Sequence, residues 1–145
     1  MNITTKTRYG SRAMIELALV WPDRIISVKE IARNQRISTK FLEQILAALK
    51  AADLIRSVRG TGGGYALTRP PEEIRMLDVF KVLEGSPALV DCVDHPEVCD
   101  ARPLCPIREM WIEASKAVAA VLQKTTLKDL ADRVKRSPAE AIYEV

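Results

Sequence analysis

Cys92, Cys99 and Cys105 are the only cysteines in the 145-residue chain, and they fall within 14 residues at the spacing Cys-x6-Cys-x5-Cys. Three thiolates on one short segment suit a soft metal or an iron–sulfur cluster. The odd count argues against a structural disulfide. So does the N-terminus, Met1-Asn2-Ile3-Thr4-Thr5-Lys6, which lacks the apolar stretch and cleavage site of a secretory signal. No apolar run is long enough to span a bilayer, so the expected location is the cytoplasm, where thiols stay reduced. Zinc would prefer the shorter Cys-x2–4-Cys pairs, which are missing. A metal-free thiol switch stays open beside the cluster reading. Catalysis finds no support: there is a single histidine, His95, with no nucleophile–base arrangement and no cofactor loop.

The segment holding these cysteines, residues 86–105, also contains Pro87, Pro96 and Pro103, so regular structure should be sparse there. A helix is predicted before it over Met76–Glu84, with Leu77, Phe80, Val82 and Leu83 apolar and Gly85 placed to stop it. A longer helix is predicted after it, over about 106–123. Its stripe is Ile107, Met110, Trp111, Ala114, Val118, Val121 and Leu122. So small a protein offers that helix no obvious internal partner, and a second copy of the chain would cover it in an isologous dimer. A last helix should start near Thr126, with Asp129 in capping position, and run to about Lys135. The tail after Pro138 is expected to be loose.

The N-terminal half has a different character. Residues 1–75 hold 13 Lys+Arg against 7 Asp+Glu, whereas residues 76–145 hold 9 against 12. The basic half suits a polyanion. Tyr9, Ala13, Leu17 and Val20, widened by Met14 and Ala18, predict a helix over 5–21 that Trp21-Pro22-Asp23 ends. Ser27-Val28-Lys29-Glu30 reads as a capping box opening a short helix to about Arg33. Asn34-Gln35-Arg36-Ile37 would turn the chain, and Ser38 would cap a second helix carrying Phe41, Leu42, Ile45, Leu46, Ala48 and Leu49 inward. This is a helix-turn-helix pattern. The alternating strand Leu54–Arg59, the turn Gly60-Thr61-Gly62-Gly63-Gly64 and the returning strand Tyr65–Thr68 add a basic hairpin, or wing. The glycines open onto a strand and no Lys-Ser/Thr follows, so they are not a nucleotide-phosphate loop.

The expected fold is mainly α with a small β-hairpin wing: a winged helix-turn-helix domain over 1–75, then a helical dimerisation region over 76–145 that includes the cysteine loop. Such a domain reads double-stranded DNA with the N-terminal end of its second helix in the major groove. Ser38, Thr39, Lys40, Glu43 and Gln44 lie at that end. Glu43 can accept from a cytosine amino group and Gln44 can pair bidentately with adenine. Lys40 suits a phosphate. Arg59, beside Gly60 at the wing tip, suits a narrow minor groove. Arg56, Tyr65 and Arg69 complete the candidate surface, and a homodimer would match a palindromic operator.

Taken together, these segments resemble the iron–sulfur regulator family that includes IscR and NsrR. The resemblance is carried by Thr7-Arg8-Tyr9-Gly10 with Ala13-Met14, by Ile37-Ser38 with Phe41-Leu42-Glu43-Gln44-Ile45-Leu46, and by Ser57-Val58-Arg59-Gly60-Thr61-Gly62-Gly63-Gly64-Tyr65. The three-cysteine loop, Trp111 and Thr126-Leu127-Lys128-Asp129-Leu130 extend it from about residue 3 to residue 131. It implies a homodimeric transcription regulator, a repressor or a dual regulator. In it Cys92, Cys99 and Cys105 hold a 2Fe–2S cluster, or less expectedly a 4Fe–4S cluster, whose loading changes DNA affinity or preference. It also places Ser38, Glu43 and Gln44 at bases and Arg59 in the minor groove. Two family ligands are replaced: Arg108 stands where IscR-like members have a histidine three residues after the last cysteine, and Arg8 lies where NsrR-like members have an acid. The fourth cluster position is therefore open: His95 is the candidate ligand, with Asp91, Asp94, Glu97, Asp100 and Glu109 as carboxylate alternatives and a small thiol or water as a further one.

Overall fold

The computed structural model describes residues 2–98 and 105–136. Cys99, Asp100, Pro103 and the tail after Pro138 lie outside the described residues. Helix α1 (Thr5–Leu19) is capped by Thr4, whose hydroxyl accepts the Thr7 N–H at 3.3 Å. The helix was expected to reach residue 21. It stops two residues sooner because the residue before Pro22 is sterically disfavoured in helical conformation. Helix α2 (Val28–Gln35) begins at Ser27, whose hydroxyl accepts the Glu30 N–H at 3.1 Å. Glu30 does not close the expected box; its carboxylate pairs with Arg24 instead. The helix runs two residues past the predicted Arg33. It ends when Arg36 turns left-handed at φ 56°, a conformation that lets the Arg36 and Ile37 N–H groups reach back to the last carbonyls.

Helix α3 (Thr39–Ala51) follows at once, with Ser38 accepting the Phe41 N–H at 3.1 Å. Its buried face is Leu42, Ile45, Leu46 and Leu49. Each such side chain contributes about 1.5–3 kcal/mol on leaving water. Strands β1 (Ile55–Val58) and β2 (Gly64–Leu67) pair antiparallel, with Ile55 opposite Leu67 and Val58 opposite Gly64. On its other edge β2 bridges the segment before α2: Tyr65 N–H donates to the Ile26 carbonyl at 2.8 Å, and Ile26 N–H returns the bond at 3.1 Å. Gly64 permits this approach, since an added Cβ would sit 2.3 Å from the Ile26 carbonyl oxygen.

A 3-10 turn (Pro71–Glu73) leads into helix α4 (Met76–Leu83), which buries Met76, Val79, Phe80 and Leu83. The expectation of Leu77 and Val82 as core positions is displaced by one residue, and both are half-buried. The segment predicted to be sparse holds one helical turn, α5 (Asp91–Asp94), and a 3-10 turn (Pro96–Val98). Helix α6 (Pro106–Lys124) and helix α7 (Leu127–Arg136) finish the described chain. Thr126 and Asp129 cap α7 reciprocally, at 2.9 and 3.1 Å.

Helix α7 packs on α1 and on the 3-10 turn, placing Leu127 and Ala131 in the same core as Met14, Leu17, Leu42 and Ile55. Between them, Met76 N–H donates to the Thr125 carbonyl at 2.8 Å and Leu127 N–H to the Ile74 carbonyl at 3.0 Å. The hydrophobic core is therefore continuous across residue 75.

Candidate nucleic-acid interface and cysteine segment

Packing Leu42, Ile45, Leu46 and Leu49 inward turns the opposite side of α3 to solvent. Ser38, Lys40, Glu43 and Gln44 are all exposed there, while Thr39 is half-buried. Ser38 spends its oxygen lone pair on the cap, and its hydroxyl proton remains available to an acceptor. Arg56, Arg59 and Gly60 are exposed on the hairpin. Tyr65 lies differently: its ring packs on the core and its backbone holds the Ile26 bridge, so its first role is to anchor the wing. Arg69 is half-buried. Between the wing and the start of α2 lies a cleft of about 400 Å³ lined by Ser27, Lys29, Ser57 and Arg59 among others, with two cations and no carboxylate. Lys29 and Ser57 were not singled out from the sequence. The signal was present at Lys29, a cation in the first turn of a capped helix, where N–H groups also face outward.

The second cluster of chemistry-bearing residues sits at the start of α6. Cys105 is the residue that caps this helix, and Cys92 lies on α5 packed beside it. Both are free thiols and half-buried. Among the described residues two hydrogen bonds pin the segment to α6. Arg108 Nε donates to the Cys92 carbonyl at 3.2 Å, and Leu89 N–H donates to Ser115 Oγ at 3.0 Å. His95 is exposed, its Nδ1 3.5 Å from Glu97 Oε1, with side-chain exposures of 65% and 71%. Among the described residues no three His, Cys, Asp or Glu side chains converge on one point. The donor set fits an iron–sulfur cluster on two grounds. Cys92 and Cys105 offer soft sulfur, and the N-terminal end of α6 presents the partial positive charge of the helix dipole to an anionic group.

Helix α6 divides into two faces. Ser115, Ile112 and Leu122 turn inward, and Ser115 is the one buried residue of the helix. Ile107, Met110 and Val121 are 52%, 48% and 55% exposed on the other side. Glu84, which follows the last residue of α4, accepts from the Thr7 and Thr4 hydroxyls and from the Thr4 N–H, tying α4 to the start of α1. These bonds hold its carboxyl below the usual glutamate range.

A capped helix pair whose second member shows a polar face, flanked by a basic hairpin, defines a winged helix-turn-helix DNA-binding protein. The chain belongs to the Rrf2 family, whose profile, described as iron-dependent transcriptional regulator, matches residues 3–133. Its members regulate transcription and are not enzymes. The chain is 38% identical over 130 residues to protein rrf2 of Nitratidesulfovibrio vulgaris Hildenborough, covering 90% of this chain and 87% of that one. It superposes on the structure of CymR, the global cysteine regulator of B. subtilis, with a TM-score of 0.78 at 38% identity, covering 92% and 98% of the two chains. The T. potens IscR structure matches with a TM-score of 0.78 at 33% identity, covering 95% and 91%. Among the described residues no helix is long and apolar enough to cross a membrane.

Proposed function

We propose that this DNA-binding regulator is a homodimeric repressor whose grip on a palindromic operator is set by an iron–sulfur cluster held by Cys92, Cys99 and Cys105. The carrying observation is the placement of two free thiols, Cys92 and Cys105, at the N-terminal end of the long α6 helix. When bound, the cluster supplies a redox-active and ligand-labile centre, with 2Fe–2S favoured over 4Fe–4S. His95 is the proposed fourth ligand. Its Nδ1 faces the Glu97 carboxylate, which leaves Nε2 as the ligating nitrogen.

The rest is done by the chain's own residues. Ser38, Glu43 and Gln44 meet base edges; Thr39, Lys40, Lys29 and Arg56 meet phosphates; Arg59 and Gly60 follow the minor groove, and Tyr65 holds the wing in place. The exposed stripe Ile107, Met110 and Val121 pairs with its counterpart in a second copy. The cysteine segment is bonded to the inward face of the same helix. Ordering that segment therefore biases the angle between two α6 helices and, through it, the spacing of two recognition helices.

An anaerobic absorbance spectrum with iron and sulfide analysis tests the proposal, on the wild type and on a variant with Cys92, Cys99 and Cys105 all replaced by Ala. Visible absorption with matched iron and sulfide, lost in the variant, is the expected result. A colourless protein after anaerobic reconstitution would overturn the cluster. The likeness to CymR, described as a cysteine regulator, favours a second reading in which the thiols respond without metal. In that case operator binding would change on mild oxidation of the colourless protein.

A further inference from the structure

Arg108 lies in the first turn of α6, beside the cysteine site, without offering a ligand. Its guanidinium crosses from α6 to α5 and donates from Nε to the carbonyl of Cys92 at 3.2 Å, a partly buried bond spanning 16 residues. In the same first turn its backbone N–H donates to the carbonyl of Cys105 at 3.3 Å. One residue thus touches the backbone of both described cysteines. Its two terminal nitrogens make no hydrogen bond to any described residue. Seven positions along the same face, Ser115 takes the Leu89 N–H. The described part of the cysteine segment therefore hangs from α6 at two points, and only the Arg108 point bears on a cysteine and carries charge.

We infer that Arg108 is a positioning residue for the cysteine site. It splints Cys92 against the start of α6 before any cluster is present, and it leaves a fixed positive charge beside the site. The inference rests on the cluster reading for its second half only. The splint lowers the ordering cost of bringing the thiols together, because α5 is a single four-residue turn, flanked by the Val93–Val90 and His95–Asp91 bonds, and is too short to hold itself. The charge acts on whatever anion the thiols hold. A cation near an iron–sulfur cluster stabilises the reduced form, which carries the extra electron, and so raises the reduction potential. The guanidinium is suited to both tasks, being a cation whose planar fork is rigid enough to keep its donor aimed.

The test compares wild type with Arg108→Met, which keeps the apolar stem and removes donor and charge, and with Arg108→Lys, which keeps the charge. In the metal-free proteins, amide hydrogen exchange at Val93 and His95 should speed up about tenfold in Arg108→Met, as expected for losing a charge-assisted bond. The Leu127 amide, in the core, should be unchanged and so reports that the variant is folded. After anaerobic reconstitution, the cluster of Arg108→Met should show a lower reduction potential and faster loss to a chelator, and Arg108→Lys should restore the potential. Unchanged exchange at Val93 and His95 would overturn the splint. Equal potentials in wild type and Arg108→Met would overturn the charge role. If wild type takes up no cluster, the cluster reading fails on its own, and the exchange experiment still decides the splint. Should Leu127 exchange rise in Arg108→Met, Arg108→Gln is measured in its place, with the same two outcomes.

Discussion

Replacing Gly64 with Ala should detach the wing from the body of the DNA-reading head. The new Cβ would lie 2.3 Å from the Ile26 carbonyl oxygen, 2.6 Å from its carbon and 2.9 Å from Ser27 N. All three are backbone atoms, so no rotamer change relieves the clash. Restoring an ordinary contact requires β2 to retreat by about 1 Å. That retreat stretches the Ile26–Tyr65 bonds, now 2.8 and 3.1 Å, out of hydrogen-bonding range. Two net bonds at about 0.5–1.5 kcal/mol each, plus disturbed packing of the buried Ile26, give a loss of about 2–4 kcal/mol. Gly62→Ala is the control: nothing lies within 4 Å of its Cβ, and only its φ of +78° is unfavourable, at about 1–2 kcal/mol. Urea unfolding of both variants measures the difference, as a shift in midpoint at constant slope. Operator affinity at one fixed salt concentration should fall further for Gly64→Ala than stability alone explains, because the wing is misplaced even in folded molecules. If Gly64→Ala is no less stable than Gly62→Ala, the close approach of β2 to residue 26 is not what requires glycine there.

Other outcomes follow from the same geometry. Gln44→Ala should cost about 1–3 kcal/mol of discrimination at one base pair, read by competition with single-base operator variants. Arg59→Ala should instead weaken all sequences and reduce the slope of log affinity against log salt by about 1. Met110→Asp, on the exposed stripe of α6, should shift the protein from dimer to monomer in sedimentation and abolish tight operator binding while leaving the helical spectrum intact. Glu84 is held below its unfolded value of 4.5 by the Thr7 and Thr4 hydroxyls, so its contribution is present above that value and is lost as pH falls through the folded one. Glu84→Gln should therefore be modestly less stable near neutral pH, with the gap to wild type closing below about pH 4.5 in denaturation series.

Local chemistry explains which features could be read before the fold was known. Ser27, Ser38 and the Thr126–Asp129 pair were legible as caps because a cap is satisfied within three residues of itself. The hairpin was legible from the Gly60–Gly64 run between two alternating segments. Glu30 misled, since its reciprocal cap competes with a cation, Arg24, that only the turn after α1 brings near. The extent of α2 was missed because Arg36 takes a left-handed conformation that a residue with a Cβ ordinarily avoids, while the next residue, Ile37, packs against the core. The role of Tyr65 as anchor required knowing that residue 26 lies beside β2. The stripe on α6 reads from the sequence as one surface, whereas Leu122 packs on the core and Ile107, Met110 and Val121 are exposed; a helix with two apolar faces does not announce which neighbour each will meet. At the cysteines, composition indicated the chemistry, but the bond from Arg108 to Cys92 is a long-range contact with no local signature.

The pairing of the last described helix with the first has a consequence for how the protein is made. Leu127 and Ala131 are buried in a core whose other buried members come from residues 13–83. During synthesis, α1, α2, α3 and the wing leave the ribosome with one side of that core still open to water. Chains grow by about 5–20 residues per second, so the head waits several seconds for the segment that seals it. A nascent or prematurely ended chain lacking residues 126–136 would carry every proposed base-reading side chain and still lack the closed head that presents them. Competence to bind an operator thus arrives late in translation, only after the cysteine segment and α6 have already been made.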